Sequence, residues 1–435
     1  MKLTTLENSI NYSCTVVEVK ELSNIEGADR IQKCTIFGNN VVVSKDVKVG
    51  DVMLYFVSGT RLNEDYCKHN NLLDKAELNN DTTKKGFISY KQLRVKALKL
   101  RSIISDGILM PLESLQYFCD TKNFKIGDTF TCINGNTLCE KYFVPIRNSN
   151  PGGKAPKRPT KISRLVEGQF YLHGDTFNLR RNMDKINPDD IIGIHYKKHG
   201  SSVVVSNCLV KKSLKWYEKL LKKAGVNIVE TKYDIVYSSR KVIKNAYLNT
   251  NPNSFYSTDI WGDVAKEIGD KIPKNWTIYG EVLGFTSDGG WIQKDYAYGC
   301  KQGEHKFYVY KISVVNEDGK VIYLTDKQIE EYCEKVGLLY KDTFIYYGRA
   351  INRFNYKEDG KEWSLDTWRE KFLEILEATY TEKDCYMNPG QPEEGIILRV
   401  ENMYEYNAFK LKSKKFLLAE SDLQEQEITN LEDEL

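Results

Sequence analysis

No Cys-x-x-Cys pair occurs among the ten cysteines, and only five histidines are present to complete a metal set. A zinc site or a disulfide framework therefore has no support in the sequence, and ten scattered thiols suit a reducing compartment. Excess charge is equally scarce: 63 Lys and Arg stand against 60 Asp and Glu, a net +3 over 435 residues. That excludes holding nucleic acid by bulk charge, so an anionic partner must meet a local patch. No run of about eighteen apolar residues occurs, and the opening MKLTTLENSINYSC lacks the apolar stretch of a secretory signal. The expectation is a soluble, cytoplasmic protein without a membrane span. Its length leaves room for two or three domains.

What is present divides the chain. From about residue 13 to 112, short alternating segments (CTVVEVKEL, IQKCTIF, VVVSK, VMLYFV) are separated by Gly, Asn and Asp turns, the spacing of a small β-barrel or sandwich. Residues 147–164 carry Pro151, Gly152, Gly153, Pro156 and Pro159 with six basic and no acidic side chains. Such a stretch cannot bury an apolar face and reads as an exposed linker. Beyond it, the apolar runs IIGIHY, SSVVVSNCLV, WTIYGEVLGF, KFYVYKISVV, GIILRV and NAFKLK predict strands. Helical periodicity marks SLKWYEKLLKKAG, with Ser213 as N-cap and Gly225 as stop, then TDKQIEEYCEKVG and SLDTWREKFLEILEATY. No strict βαβ rhythm appears, so the class is α+β with antiparallel sheets. From Glu420 onward there are seven acidic and no basic residues, a composition that predicts a frayed, solvated end. The expected division is 1–146, a linker at 147–164, a second domain at 165–420 and an acidic tail at 421–435.

Single local signals are weak. Lys197-Lys198-His199-Gly200 lies between two apolar runs and forms a turn that presents a lysine, ordinarily just a surface charge. Glu281 sits inside an apolar strand between Gly280 and Gly284, which permit close approach to the backbone. Glu394-Gly395 repeats that arrangement before IILRV, and Lys410 and Lys412 share one face of a strand by the period of two.

The order is the informative feature. K-x-H-G at 197–200, S-S-R at 238–240, G-E-x-x-G at 280–284, F-x-x-Y at 307–310, E-G-I-I-L-R at 394–399 and K-x-K at 410–412 follow one another. This set resembles the covalent nucleotidyltransferases, which comprise ATP-dependent polynucleotide ligases and capping guanylyltransferases. Within them, YGEVLG, WIQKDYAYG, KFYVYKI and FKLKSKKF are similar to RNA ligases of the RNA ligase 2 kind. RLVEGQFYLHGDTFNLRRN and ELSNIEGADRIQKCTIFGNNVVVSK resemble the Deinococcus- and Naegleria-type RNA ligases. Those place an OB-fold barrel before an adenylyltransferase domain of antiparallel sheets flanked by helices. Only 23 residues follow Lys412, so the accessory module is expected at the N-terminal side.

The resemblance implies an ATP-dependent RNA ligase that joins 3′-OH and 5′-phosphate ends, acting in RNA repair on RNA or on an RNA-containing nicked duplex, and expected to be a monomer. A DNA ligase, a capping enzyme or a non-catalytic RNA-binding relative is the alternative. Lys197 is implied as the nucleophile that carries AMP, with Lys410 and Lys412 as cations beside it. A lysine near its ordinary pKa of about 10.4 is protonated and cannot attack, so neighbouring positive charge is needed. Glu281 and Glu394 are the implied carboxylates for Mg²⁺ or Mn²⁺, through waters. Tyr310 is implied to stack on adenine, Arg240 to bind on the ribose side, and His199 and Gly200 to shape the turn or meet a metal water. Where the family's aromatic strand commonly ends Phe-Asp, this chain has Tyr310-Lys311, leaving Lys311 either solvent-facing or near the nucleotide. Basic residues Lys91, Arg94, Lys96, Lys99 and Arg101 suggest a strand-binding edge on the N-terminal module.

Overall fold

The computed structural model describes residues 1–143, 163–247, 258–340, 345–354, 357–358 and 361–425. Most of the expected basic linker lies outside these residues.

The N-terminal part is built from short antiparallel strands: β1 (Cys14–Glu18), β2 (Ile31–Ile36), β3 (Asn39–Ser44), β4 (Val52–Phe56), β5 (Thr60–Leu62), β6 (Ala97–Leu100), β7 (Ile103–Asp106), β8 (Ile108–Pro111) and β9 (Cys139–Lys141). Alternation decides what is inside: Cys34 and Ile36 from β2, and Val41 and Val43 from β3, join Tyr55 in one buried cluster. The β2–β3 turn is Phe37-Gly38, both at positive φ, the two-residue geometry that suits the twist of a hairpin. A second, larger cluster around Phe56, Tyr66 and Phe130 fills the other side. This is the OB-fold expected from the sequence.

The remainder is α+β, with two mainly antiparallel sheets, each joined by one two-residue parallel segment, Phe177–Asn178 in the first and Leu339–Tyr340 in the second. The first contains β10 (Ile191–Tyr196), β15 (Tyr346–Arg349), β16 (Gly395–Val400) and β17 (Asn407–Lys412), in the order β17-β16-β10-β15. The second runs β12 (Thr231–Ser238), β11 (Ser201–Lys211), β13 (Trp276–Gly284), β14 (His305–Val315). Helices cover one face of each. Trp368 and Phe372 of α4 (Leu365–Leu376) pack on Ile192, Ile194 and Leu398 of the first sheet. Trp261 of α2 (Ile260–Ile268) and Ile329 of α3 (Asp326–Val336) pack on Val203, Ile278 and Val309 of the second. The strand residues of opposite parity are left facing a cleft between the sheets.

The helical predictions hold with one shift. The helix α1 (Trp216–Lys223) starts after Lys215, whose N–H donates to Glu218 at 2.8 Å, rather than at Ser213; Gly225 closes it at φ +84°. The expected frayed end does not begin at 421, because α5 runs Lys414–Glu425. Its Ser421 and Gln424 are buried, and that burial outweighs the acidic composition. All ten cysteines are unpaired. Among the described residues no helix is long and apolar enough to cross a membrane.

Candidate active site

Four residues, 197–200, carry the chain from β10 in one sheet to β11 in the other. The turn is fixed at both ends: Lys197 N–H donates to the Gly395 carbonyl at 2.8 Å, and the Gly200 carbonyl accepts from the Gln293 side chain at 2.8 Å. Gly200 leaves no room for a side chain, since a Cβ would lie 2.4 Å from Leu283 and 2.5 Å from the Val282 carbonyl. The Lys197 ammonium is thereby delivered to the mouth of the cleft, 2.8 Å from Glu394.

Strand parity supplies the rest. Val203, Val282 and Val309 point into the core, so Ser202, Glu281, Tyr308 and Tyr310 point into the cleft. With His195 and Ile397 from the first sheet, and Tyr406 just before β17, they line an aromatic slot. The Tyr310 hydroxyl meets Ser202 Oγ at 3.1 Å, and burial beside the Glu281 carboxylate pushes the phenol above its ordinary range. His173 lies against it, ring centroids 5.1 Å apart.

A second, polar cavity lies between the OB module and the sheets. Lys410, Lys412 and Arg240 line it together with Lys141 of β9 and Glu420 of α5. Lys197, Arg240 and Thr176 border both spaces, so the slot and the basic cavity meet at the lysine. Enclosure, with Arg240, Lys412 and Lys141 nearby, pushes the Lys410 amine down to about 8 despite attraction from Asp175. Asp175 in turn pairs with Arg240; although burial raises its carboxyl, that guanidinium and Lys410 hold it at about 2. Lys412 donates to both Glu420 oxygens, at 2.9 and 3.1 Å, and lies 3.9 Å from Glu394.

The sequence-derived residues thus converge: Lys197, Arg240, Glu281 and Tyr310 at the slot, and Lys410 and Lys412 at the cavity, with Glu394 buried between Lys197 and Lys412. His199 stands apart. Its N–H donates to Tyr298 at 2.7 Å and its ring packs edge-on against Tyr296 and Phe416, with Nδ1 3.8 Å from Glu394. Among the described residues no group of three or more His, Cys, Asp or Glu is arranged to hold a metal by itself. The donor set offered is two carboxylates on different strands, which fits Mg²⁺ or Mn²⁺ held by few protein ligands plus phosphate and water.

Two expectations change. Lys311 is not solvent-facing: it is 6% exposed, its Nζ 4.3 to 4.9 Å from the ring centroids of Tyr279, Tyr406 and Tyr323. Arg94 is not on a strand-binding edge but is buried against α5. Sequence reasoning missed Lys141, Asp175, His173 and Glu420. Only Asp175 and His173 fall in a segment with a family-like pattern; Lys141 and Glu420 reach the site through tertiary docking that no local pattern encodes.

Comparisons with known proteins agree with this geometry. A search of curated proteins returns no match. Solved structures of Naegleria gruberi RNA ligase share the fold at 16% identity. The form with pyrophosphate has TM-score 0.58, covering 94% of this chain and 98% of that one. A mutant with ATP and Mn has TM-score 0.56, covering 97% and 99%. Another mutant, with AMP and Mn, has TM-score 0.56, covering 93% and 97%. An OB-fold domain profile matches residues 13–112. The RNA ligase family profile matches residues 192–414, just over half of the chain, from within β10 to beyond the end of β17, and the chain belongs to the RNA ligase family.

Proposed function

We propose that this RNA ligase is ATP-dependent and seals 3′-OH to 5′-phosphate ends through an AMP carried on Lys197, serving RNA repair on RNA or RNA-containing nicked duplexes. The observation that carries the reading is the meeting of an aromatic slot and a basic cavity at one lysine. A nucleoside in the slot, with its base against Tyr310 and its ribose toward Glu281 and Arg240, directs its phosphates past Lys197 toward Lys410, Lys412 and Lys141. That the Naegleria structures hold ATP, AMP, pyrophosphate and Mn is consistent with the same chemistry here.

Three phosphoryl transfers follow. The neutral Lys197 Nζ attacks the α-phosphorus; a P–N bond forms, the bond to the β-phosphate oxygen breaks, the nitrogen gives up a proton to solvent, and pyrophosphate leaves into the basic cavity. A 5′-phosphate oxygen then attacks the same phosphorus, the P–N bond breaks, and the Lys197 nitrogen takes back a proton and leaves as the amine. Finally the 3′-hydroxyl attacks the 5′-phosphorus, loses its proton, and AMP departs. Lys410 and Lys412 stabilise the charge that builds on the phosphoryl oxygens and disfavour an extra proton on Lys197. Glu394 holds the Lys197 ammonium before nucleotide arrives, so its engagement elsewhere frees the amine. Glu281 and Glu394 are the residues that would hold a divalent ion, which would supply charge neutralisation at the phosphates.

The test is strand sealing. A nicked duplex with a 5′-phosphate is supplied with ATP and Mg²⁺, its 3′-hydroxyl on either ribose or deoxyribose. Efficient sealing of the ribose end is expected; no sealing of either, or equal sealing of both, contradicts the substrate assignment.

A further inference from the structure

We propose that the OB module positions Lys412 through helix α5, with Arg94 as the residue that fixes the helix. The inference rests on the ligase reading above and adds a role for the module in the first chemical step.

Helix α5 begins two residues after Lys412 and is held at both ends by different parts of the molecule. At its start, Ser413 N–H donates to the Glu394 carbonyl at 2.9 Å, Lys414 N–H donates to Glu382 at 2.7 Å, and the Lys414 ammonium pairs with Glu377. All of these partners belong to the catalytic part. Two turns later the contacts are with the OB module. Arg94, 1% exposed, donates to the Ser421 carbonyl at 2.9 Å and to the Gln424 side-chain oxygen, with its guanidinium 5.3 Å from the Tyr142 ring centroid. Ala97 N–H donates to Ser421 Oγ at 3.2 Å, and the Gln92 side chain donates to the Gln424 carbonyl at 3.2 Å.

Glu420 sits beside this clamp. It precedes Ser421 directly and stands four residues before Gln424, on the same helix face, and both line the basic cavity. Its carboxylate accepts from Lys412 with both oxygens. The rotation of α5 about its axis therefore sets where the Lys412 ammonium stands relative to Glu394 and Lys197, and the Arg94 fork sets that rotation. A lysine at 94 has no planar fork to span a carbonyl and an amide oxygen together. Arg94 touches no substrate in this arrangement; it is a positioning residue, and Glu420 is the intermediary.

The experiment follows the formation of protein-bound label from α-labelled ATP and Mg²⁺ in single turnover, from pH 6 to 9. It compares wild type, Arg94→Ala, Arg94→Lys, Glu420→Gln and the Arg94→Ala/Glu420→Gln pair. Arg94→Ala is expected to slow labelling on the order of tenfold or more, the scale on which misplacing a group by about an ångström acts. It should also move the acid limb of its rate–pH profile upward, since a cation is held less firmly beside Lys197. Arg94→Lys should fall between Arg94→Ala and wild type. The double variant should be no slower than its slower parent, because both changes cut one route. A folded Arg94→Ala with wild-type rate and pH profile, or multiplicative effects in the pair, overturns the proposal. If Arg94→Ala fails to fold, Ser421→Ala and Gln424→Ala read the clamp from the helix side, and unchanged profiles there overturn it equally. A wild type that takes no label refutes the ligase reading as well; a wild type that labels beside unaffected variants refutes only the coupling.

Discussion

Replacing Lys311 by methionine is expected to stabilise the protein at neutral pH. Burial, with Arg399 adding to it, pushes this amine from 10.5 down to about 7, and no carboxylate opposes the shift. At about 1.4 kcal/mol per pH unit that is a penalty of about 5 kcal/mol for the charged form. The three tyrosine rings around the ammonium return about 1 kcal/mol each, leaving a net cost of about 2 kcal/mol. Methionine keeps the length and fills the cage without a charge. The melting temperature should then rise by roughly 4 to 8 °C, at the 2 to 4 °C per kcal/mol of a domain this size. The sign with pH is fixed by linkage. Lys311 titrates lower in the folded than in the unfolded chain, so its penalty is complete at acid and neutral pH and vanishes as pH rises toward 10.5. The gain from methionine should therefore be largest near pH 6 and shrink at pH 9 to 10, read by scanning calorimetry across that range. A variant no more stable than wild type at pH 6 would show that the aromatic cage outweighs desolvation and would refute the reasoning.

Asp326 binds His195 and Arg399 at 2.9 Å each, all fully or nearly fully buried; Asp326→Ala should cost about 3 to 5 kcal/mol in denaturant unfolding, because it takes the carboxylate from His195 and leaves Arg399 with Glu401 alone, at 3.3 Å. Gly395 lies at φ +140°, and a Cβ there would meet the Leu411 carbonyl oxygen at 2.0 Å. Gly395→Ala should lose at least about 1 to 3 kcal/mol of stability and should label poorly with ATP, since it pushes apart the strands bearing Glu394 and Lys412. Lys410, held at about 8, should regain its proton when phosphate oxygens approach. In a Lys197→Ala background, where that lysine has no proton to release, nucleotide binding at pH 8.5 should thus take up a proton, measured by calorimetry in buffers of different ionisation enthalpy, and adding Lys410→Arg should abolish the uptake.

Much of this is legible in the sequence itself. The strands from IIGIHY to NAFKLK stand out because each is a short apolar run bounded by turn residues, whereas which parity faces the cleft is settled only by how the sheets and helices pack. Thr325 with Gln328 as a capping box and Gly337 at φ +67° bracket α3 where the pattern placed it. Three features were not legible. The helix α2 spans only Ile260–Ile268, and its polar side is limited to Asp263, Lys266 and Glu267, too few turns for the period to stand out. The helix α5 was hidden by its acidic composition, because docking onto the OB module, rather than local periodicity, holds it. The environment of Lys311 depends on three tyrosines from separate parts of the chain, Tyr279, Tyr323 and Tyr406, and nothing in its own neighbourhood announces that it is enclosed.

The central claim is that Lys197 carries AMP. Wild type incubated with α-labelled ATP and Mg²⁺, then denatured, should retain the label. Lys197→Ala should retain none, and Lys198→Ala should still become labelled. Label persisting on Lys197→Ala, or absent from wild type with every nucleotide tried, would contradict the account.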